Sequence, residues 1–182
     1  PTELRRNLLK FVRNITIIHI IKQYICKNFF MSILIVGTVA FDSIETPFSK
    51  KEKIVGGAAT YFSLAASFFT KKLNLVSVVG EDFPQEYLDL LKKNNINIEG
   101  VEIVKGGKTF FWSGKYHNDL NTRDTLDTQL NVLADFDPVV PESHKDAEFV
   151  MLGNLHPLVQ LSVLEQVKNP KLVVLDTMNF WM

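Results

Sequence analysis

Residues Ile54 to Ala66 read IVGGAATYFSLAA, an apolar strand end, two adjacent glycines, then small and apolar residues at helical spacing. The run SILIVGTVAFD precedes this stretch and LNLVSVVGEDFP follows it, so the glycine pair joins a strand to a helix within a strand-rich segment. Without a Cβ, glycine lets the backbone turn sharply and lets a helix N-terminus present its N–H groups to a ligand. Two readings follow, a strand-to-helix turn that happens to use glycine or a turn built for ligand contact, and a short glycine motif alone does not separate them.

The flanking pattern predicts an α/β chain. Ile33 to Val39 is a continuous apolar, β-branched run, as in a strand covered on both faces. Ala58 to Phe69 is apolar almost all round and predicts a buried helix. Leu73 to Val79 reads as the next core strand. Pro84 to Asn94 reads as a helix with Pro in its first turn and Glu86 and Asp89 near its start. Short strands are expected over Glu148 to Leu152 and Leu172 to Leu175, joined by a helix from about Leu158 to Val167. Such alternation implies a mostly parallel sheet. Val101 to Lys105 and Lys108 to Tyr116 break the rhythm and predict a hairpin turning at Gly106-Gly107, with Phe110, Phe111, Trp112 and Tyr116 in its second strand. The polar run Asp119 to Asp127 reads as a solvated loop.

The chain has 182 residues, 46% of them hydrophobic, enough for one sizeable core. Its formal charge of zero hides two opposite pieces. Residues 1–30 carry six Lys or Arg against one acid, and the remaining 14 basic and 19 acidic residues leave the rest at −5. The first thirty residues lack the small-residue cleavage site of a signal peptide, and their apolar run ITIIHII, interrupted by Lys22 and Lys27, is too short and too charged to span a bilayer, which needs about 20 mostly apolar residues. They read as in-frame upstream sequence before a start at Met31, or as an amphipathic surface helix. Cys26, the only cysteine, lies there, so residues 31–182 hold no disulfide or cysteine metal site, in keeping with a reducing, cytoplasmic setting. The acidic balance after Met31 argues against nucleic-acid binding, and the scattered His117, His144 and His156 have no metal-ligand spacing. Gly107-Lys108-Thr109 imitates the end of a Walker A loop but lacks its first glycine and its following helix, and GTVAFD lacks the glycines of a dinucleotide fold.

The order of the motifs carries more than any one of them. Gly37 and Asp42 in VGTVAFDSI, the pair Gly56-Gly57, the strand end Val79-Gly80-Glu81-Asp82, the segment LKKNNINIEG and the aromatic stretch VEIVKGGKTFFWSGKY follow one another as in the ribokinase-like carbohydrate kinases, the PfkB family. The chain resembles the N-terminal half of such a kinase from about Met31 onward. The resemblance implies a three-layer α/β sandwich with a small β lid, here about residues 101–116, and a sugar site beneath that lid. It implies ATP-dependent phosphorylation of a sugar hydroxyl with Mg²⁺, and a homodimer formed through the lids in some members. It also implies a catalytic Asp in a Gly-Ala-Gly-Asp helix entry. No such run occurs in these 182 residues, so the base, the anion hole and most of the ATP site are expected beyond residue 182, and the chain alone is expected to be inactive.

Candidate substrate contacts sit at strand ends and helix starts, where α/β sheets hold ligands. Asp42 follows the first strand, and a carboxylate there accepts two sugar hydroxyls or else caps the turn near Ser43. Gly56 and Gly57 bring backbone close to the substrate. Family members often carry Asn four residues after the glycine pair; here that place is Tyr61, which leaves the sugar's identity open. Tyr61, Phe111 and Trp112 are also candidates to stack on a base, which would make the substrate a nucleoside. Asn154 closes the strand FVMLGN and presents an amide or helps the turn before Pro157. Asp176 and Asn179 stand where many members have Asp-x-Asn-x-Arg, at a different spacing and with Trp181 near the Arg position. Arg123 contacts a substrate anion or pairs with Asp119, Asp124 or Asp127. A third reading is a non-catalytic binding or regulatory protein on the same fold. If residues 1–30 make few contacts with the domain, a chain beginning at Met31 melts at the same temperature as the full chain; a marked fall in melting temperature would make the segment structural.

Overall fold

The computed structural model describes residues 31–177. Residues 1–30, Asn179 and Trp181 lie outside them. Five strands form one parallel sheet: β1 (Ser32–Val36), β4 (Lys72–Gly80), β5 (Ile96–Val104), β8 (Phe149–Leu152) and β9 (Leu172–Leu175), in the order β5-β4-β1-β8-β9. Alternate residues of the central strands feed two cores. Ile35, Leu73, Leu75 and Val79 pack on one face with Ala59, Phe83, Leu88 and Leu91. Those partners belong to helix α1 (Ala58–Ala66), helix α2 (Gln85–Lys93) and the turn between β4 and α2. Leu34, Val36, Val76 and Val78 pack on the other face with Phe136, Val140 and Val163, the last from helix α3 (Pro157–Gln166). Leu34, Ile35 and Val36 are fully buried because both faces are covered, which makes the fold the expected three-layer α/β sandwich with a mostly parallel sheet.

A second sheet of four strands forms the lid, in the order β3-β2-β6-β7: β2 (Ala40–Glu45), β3 (Lys50–Gly56), β6 (Phe111–Tyr116) and β7 (Arg123–Gln129). This departs from the expected hairpin at 101–116. Residues 101–104 belong to β5 at the edge of the parallel sheet, whereas Phe111–Tyr116 pairs in parallel with β2 and antiparallel with β7. The cause is local. Thr109, only 1% exposed, donates its backbone N–H and its hydroxyl to Asp82 Oδ1, both at 2.7 Å, and its Oγ1 accepts from Gly80 N. The chain after Gly107 is therefore pinned across the end of β4 and delivered to β2 instead of turning back on β5.

Two further expectations change. The polar run 119–127 is a loop only in part, since Arg123–Gln129 is an exposed edge strand whose charges, like those of Lys50, Lys51, Glu52 and Lys53 on the opposite edge, guard unpaired backbone against strand addition. Helix α1 is not buried all round: Ala59, Thr60, Ser63 and Ala66 face the core, while Tyr61, and Phe68 and Phe69 just beyond its end, stay exposed. Its apolar composition exceeds what one sheet face can cover.

A Cβ at Gly80 would lie 2.4 Å from the carbonyl oxygen of Gly107, a backbone atom held by the Thr109 anchor. Gly80→Ala is therefore expected to destabilise the domain by about 1–3 kcal/mol, the usual cost of overpacking. A fall in the urea midpoint checks this, and an unchanged midpoint would show that the loop moves aside freely.

Candidate functional site

The chain leaves β1 at Gly37 and crosses to the lid at Ala40, and β3 returns it to the glycine pair at the start of α1. The two glycines serve different purposes. Gly57 has φ 95°, a region L side chains rarely adopt, and a Cβ there would meet the Thr38 carbonyl oxygen at 2.3 Å. A Cβ on Gly56 would stand 2.0 Å from Asp42 Oδ2. Gly56 is thus the floor on which the Asp42 carboxylate lies, a role not read from the sequence.

Asp42 follows the first strand as expected, and lies within β2, opposite Ile54 of β3 and Trp112 of β6. It does not cap a turn: the Ser43 hydroxyl accepts from Lys53 N at 2.9 Å, and no group among the described residues donates to the Asp42 carboxylate. Burial without a donor pushes its pKa above the ordinary 3.8. A half-buried carboxylate, an acceptor with no internal donor, is suited to take hydroxyl protons from a ligand.

Trp112 is the cross-strand neighbour of Asp42, on a strand about 4.8 Å away, and shares its face. Its indole extends over Gly114, where a Cβ would be 2.1 Å from the ring, and its Nε1 donates to Thr125 Oγ1 at 3.3 Å. The absent side chain at Gly114 leaves room for the flat indole on the sheet face that also carries Asp42.

Asn154 follows β8 and meets the same region through Thr38, whose hydroxyl lies 3.4 Å from Asn154 Oδ1 and accepts Ala58 N at 3.0 Å. Asp176, after β9, is tied in by backbone: its N–H donates to Leu152 O at 2.8 Å. The buried Gln160 donates from Nε2 to Gly153 O at 2.7 Å and to Asp176 O at 3.0 Å. Thr38 and Gln160 were not singled out by sequence. A polar residue at the end of an apolar strand and one on the inner face of a helix are the only traces they leave there.

The remaining candidates are not brought to Asp42. Tyr61 lies one turn into α1, donates its hydroxyl to Val55 O at 3.2 Å and lines an apolar groove of about 140 Å³ with Leu64, Phe83, Tyr87 and Leu90. Val55 pairs with Phe41, so that groove opens on the side away from Asp42. Phe111 alternates with Trp112 and faces a separate cleft of about 450 Å³, lined also by Ser43, Glu45 and Lys53. Arg123 pairs with Tyr116, four residues along β6 from Trp112 and so about 13 Å away. It makes no ion pair among the described residues, and His117 takes Asp124 instead, at 2.9 Å.

Among the described residues no group of three or more His, Cys, Asp or Glu side chains converges to hold a metal ion, and no helix is long and apolar enough to cross a membrane.

No family model matches the chain. Its sequence is 28% identical over 145 residues to a cytidine kinase of Thermococcus kodakarensis, covering 79% of this chain and 51% of that protein. Among solved structures it is similar to the nucleoside kinase of Methanocaldococcus jannaschii, an archaeal member of the ribokinase family, with a TM-score of 0.58 at 23% identity over 82% of this chain and 54% of the other. A nucleoside kinase of Burkholderia thailandensis in complex with ADP-inosine gives 0.59 at 16% identity, over 74% and 48%. The ribokinase of Cryptococcus neoformans in complex with ADP gives 0.53 at 16%, over 72% and 44%. The chain therefore spans about half the length of the relatives it matches.

The raised pKa of Asp42 has a defined sign in stability. A carboxyl whose folded pKa lies above its unfolded value contributes most below 3.8, and that contribution is lost as pH rises through the folded pKa. Asp42→Asn is thus expected to raise the melting temperature of the unliganded chain at pH 7, with the gain shrinking as pH falls towards about 4. Melting curves at the two pH values check this. A variant less stable than wild type at pH 7 would mean that the ionised carboxylate is held by donors after all.

Proposed function

Because the chain resembles the ribokinase-like kinases in fold and sequence, we propose that it is the substrate-binding portion of an ATP-dependent kinase that phosphorylates a sugar hydroxyl, and that the sugar is the ribose of a nucleoside. The observation that carries this reading is an undonated, desolvated Asp42 carboxylate resting on Gly56, with Trp112 in register with it on the same face of the lid. Ribose hydroxyls donate to the carboxylate, and the base stacks on the ring beside it. The relatives named as cytidine and nucleoside kinases support the nucleoside over a free sugar.

The described residues bind and orient the acceptor. Desolvation by the lid strengthens the hydrogen bonds made to Asp42, and the polar contacts around Gly57 and Asn154 fix which hydroxyl faces outward for transfer. Phosphoryl transfer requires positioning and stabilisation of the moving group by a base and cations. ATP and Mg²⁺ belong to this reading, and the described residues supply neither a donor set for the ion nor the Gly-Ala-Gly-Asp entry. The 182-residue chain is accordingly expected to bind nucleoside without releasing ADP from ATP. A cytoplasmic location is part of the same reading.

Calorimetric titration with cytidine, adenosine and ribose tests it. Wild type is expected to bind a nucleoside more tightly than ribose, and Trp112→Ala to remove that advantage, since stacking on an aromatic contributes about 1–3 kcal/mol per base. Asp42→Ala is expected to weaken both ligands by about 10-fold to 150-fold, the loss of one charge-assisted bond. Absence of binding to all three ligands would overturn the substrate site. A Trp112→Ala variant with unchanged nucleoside preference would return the substrate to a free sugar.

A further inference from the structure

Three features of β6 and β7 place the Trp112 ring. A Cβ at Gly114 would meet three consecutive atoms of its six-membered ring, Cη2 at 2.1 Å, Cζ2 at 2.4 Å and Cζ3 at 2.9 Å. The indole therefore occupies the space above Gly114 that any other side chain would fill, and Trp112 is half-buried although β7 beside it is exposed along its whole length. The second feature is the bond from Trp112 Nε1 to Thr125 Oγ1 at 3.3 Å. An indole has one N–H and no acceptor, so this bond sets which way round the ring lies.

The third feature is register. Phe111, Trp112 and Ser113 pair with Gln129, Thr128 and Asp127, and the next pairs are Gly114 with Thr125 and Lys115 with Asp124. The pairing skips Leu126, a bulge of one residue. Without the skip Gly114 would face Leu126. With it, Leu126 lines the cleft that holds Phe111, Ser43 and Ser113, and a hydroxyl stands at the cross-strand position that the indole N–H reaches. The Asp42 carboxylate leans the other way along the same face, onto Gly56 at the level of Ala40, whereas the ring lies over Gly114 at the level of Ile44. A displaced ring therefore leaves the carboxylate where it is.

We propose that Gly114 and Thr125 are positioning residues for the base of a nucleoside. Gly114 leaves the bed, Thr125 holds the N–H, and together they lay the Trp112 indole along the lid as the surface on which the base stacks. This rests on the reading that the substrate is a nucleoside stacked on Trp112. With its N–H given to Thr125, the ring meets the base through its π face. Valine at position 125 keeps the shape and removes the hydroxyl; serine keeps the hydroxyl.

Calorimetric titration of the full chain with cytidine and with ribose tests this on wild type, Gly114→Ala, Thr125→Val, Thr125→Ser, Trp112→Ala and Gly114→Ala combined with Trp112→Ala. Gly114→Ala is expected to weaken cytidine about tenfold, within the range of one stacked base, and ribose less than about twofold. Thr125→Val is expected to weaken cytidine about threefold, and Thr125→Ser to match wild type. In the Trp112→Ala background Gly114→Ala is expected to cause no further loss, because no ring is left to displace. Equal losses of cytidine and ribose, or equal losses with and without Trp112, would overturn the proposal and make Gly114 a requirement of the lid as a whole. A second measurement needs no ligand. In two-dimensional ¹⁵N spectra the indole N–H signal that disappears in Trp112→Ala is expected to move in Gly114→Ala and Thr125→Val and to stay in place in Thr125→Ser; a signal that stays in place in all three would overturn the placement of the ring. If wild type binds cytidine no better than ribose, the nucleoside reading fails and the role towards a base falls with it, and the spectra separately decide whether the two residues place the ring.

Discussion

Gly57 sits at φ 95° with the Thr38 carbonyl oxygen 2.3 Å from where a Cβ would be, and nearly everything that concerns a ligand follows from that approach. Any side chain at 57 would drive α1 away from the end of β1. It would break the bonds from Ala58 and Ala59 to Thr38. One residue earlier, Gly56 lets the Asp42 carboxylate rest on the backbone of the neighbouring strand. Two sheets, one helix and the candidate site are therefore coupled through two missing side chains, and the parallel sheet cannot shift at this point without moving the lid.

The site runs against the stability of the domain that carries it. Asp42 is desolvated with no internal donor, and that is unfavourable at neutral pH. The two apolar layers around Leu34, Ile35, Val36 and Leu75 offset this, each layer closed by helices or short turns on its own face of the sheet. Beyond this core the lid is held by few anchors. Phe41 stacks on Phe83 at 5.4 Å, Lys53 lies over the Phe41 ring at 4.8 Å, and Thr109 binds Asp82. These tether the base of the lid to the turn after β4 and leave its charged edges in solvent.

Much of the fold was legible because it depends on periodicity and punctuation. The apolar, β-branched run at 33–39 announced a strand covered on both faces and 73–79 the next core strand, and the described strands β1 and β4 lie there with fully buried residues. The helix after Pro84 and the glycine entry to α1 were likewise local signals. The hairpin over 101–116 misled for the same reason. Alternating aromatics and two glycines describe a strand and a turn but do not name the partner strand, and the partner was decided by Thr109 reaching Asp82, 27 residues away in sequence.

The site divides along the same line. Sequence alone determined the glycine pair at a helix start and Asn154 at a strand end, since both follow from local pattern, whereas Asp42 lies inside β2. Only the tertiary structure decided which of them act together. The parity of β6 puts Trp112 beside Asp42 and turns Phe111 away, helical rotation carries Tyr61 into a groove with α2, and strand length leaves Arg123 at the far tip of the lid. Thr38 and Gln160 left no sequence signal because their contacts span 116 and 16 residues of chain. Local sequence sets backbone conformation, whereas the direction of a side chain across a site is set by the register between elements distant in the chain.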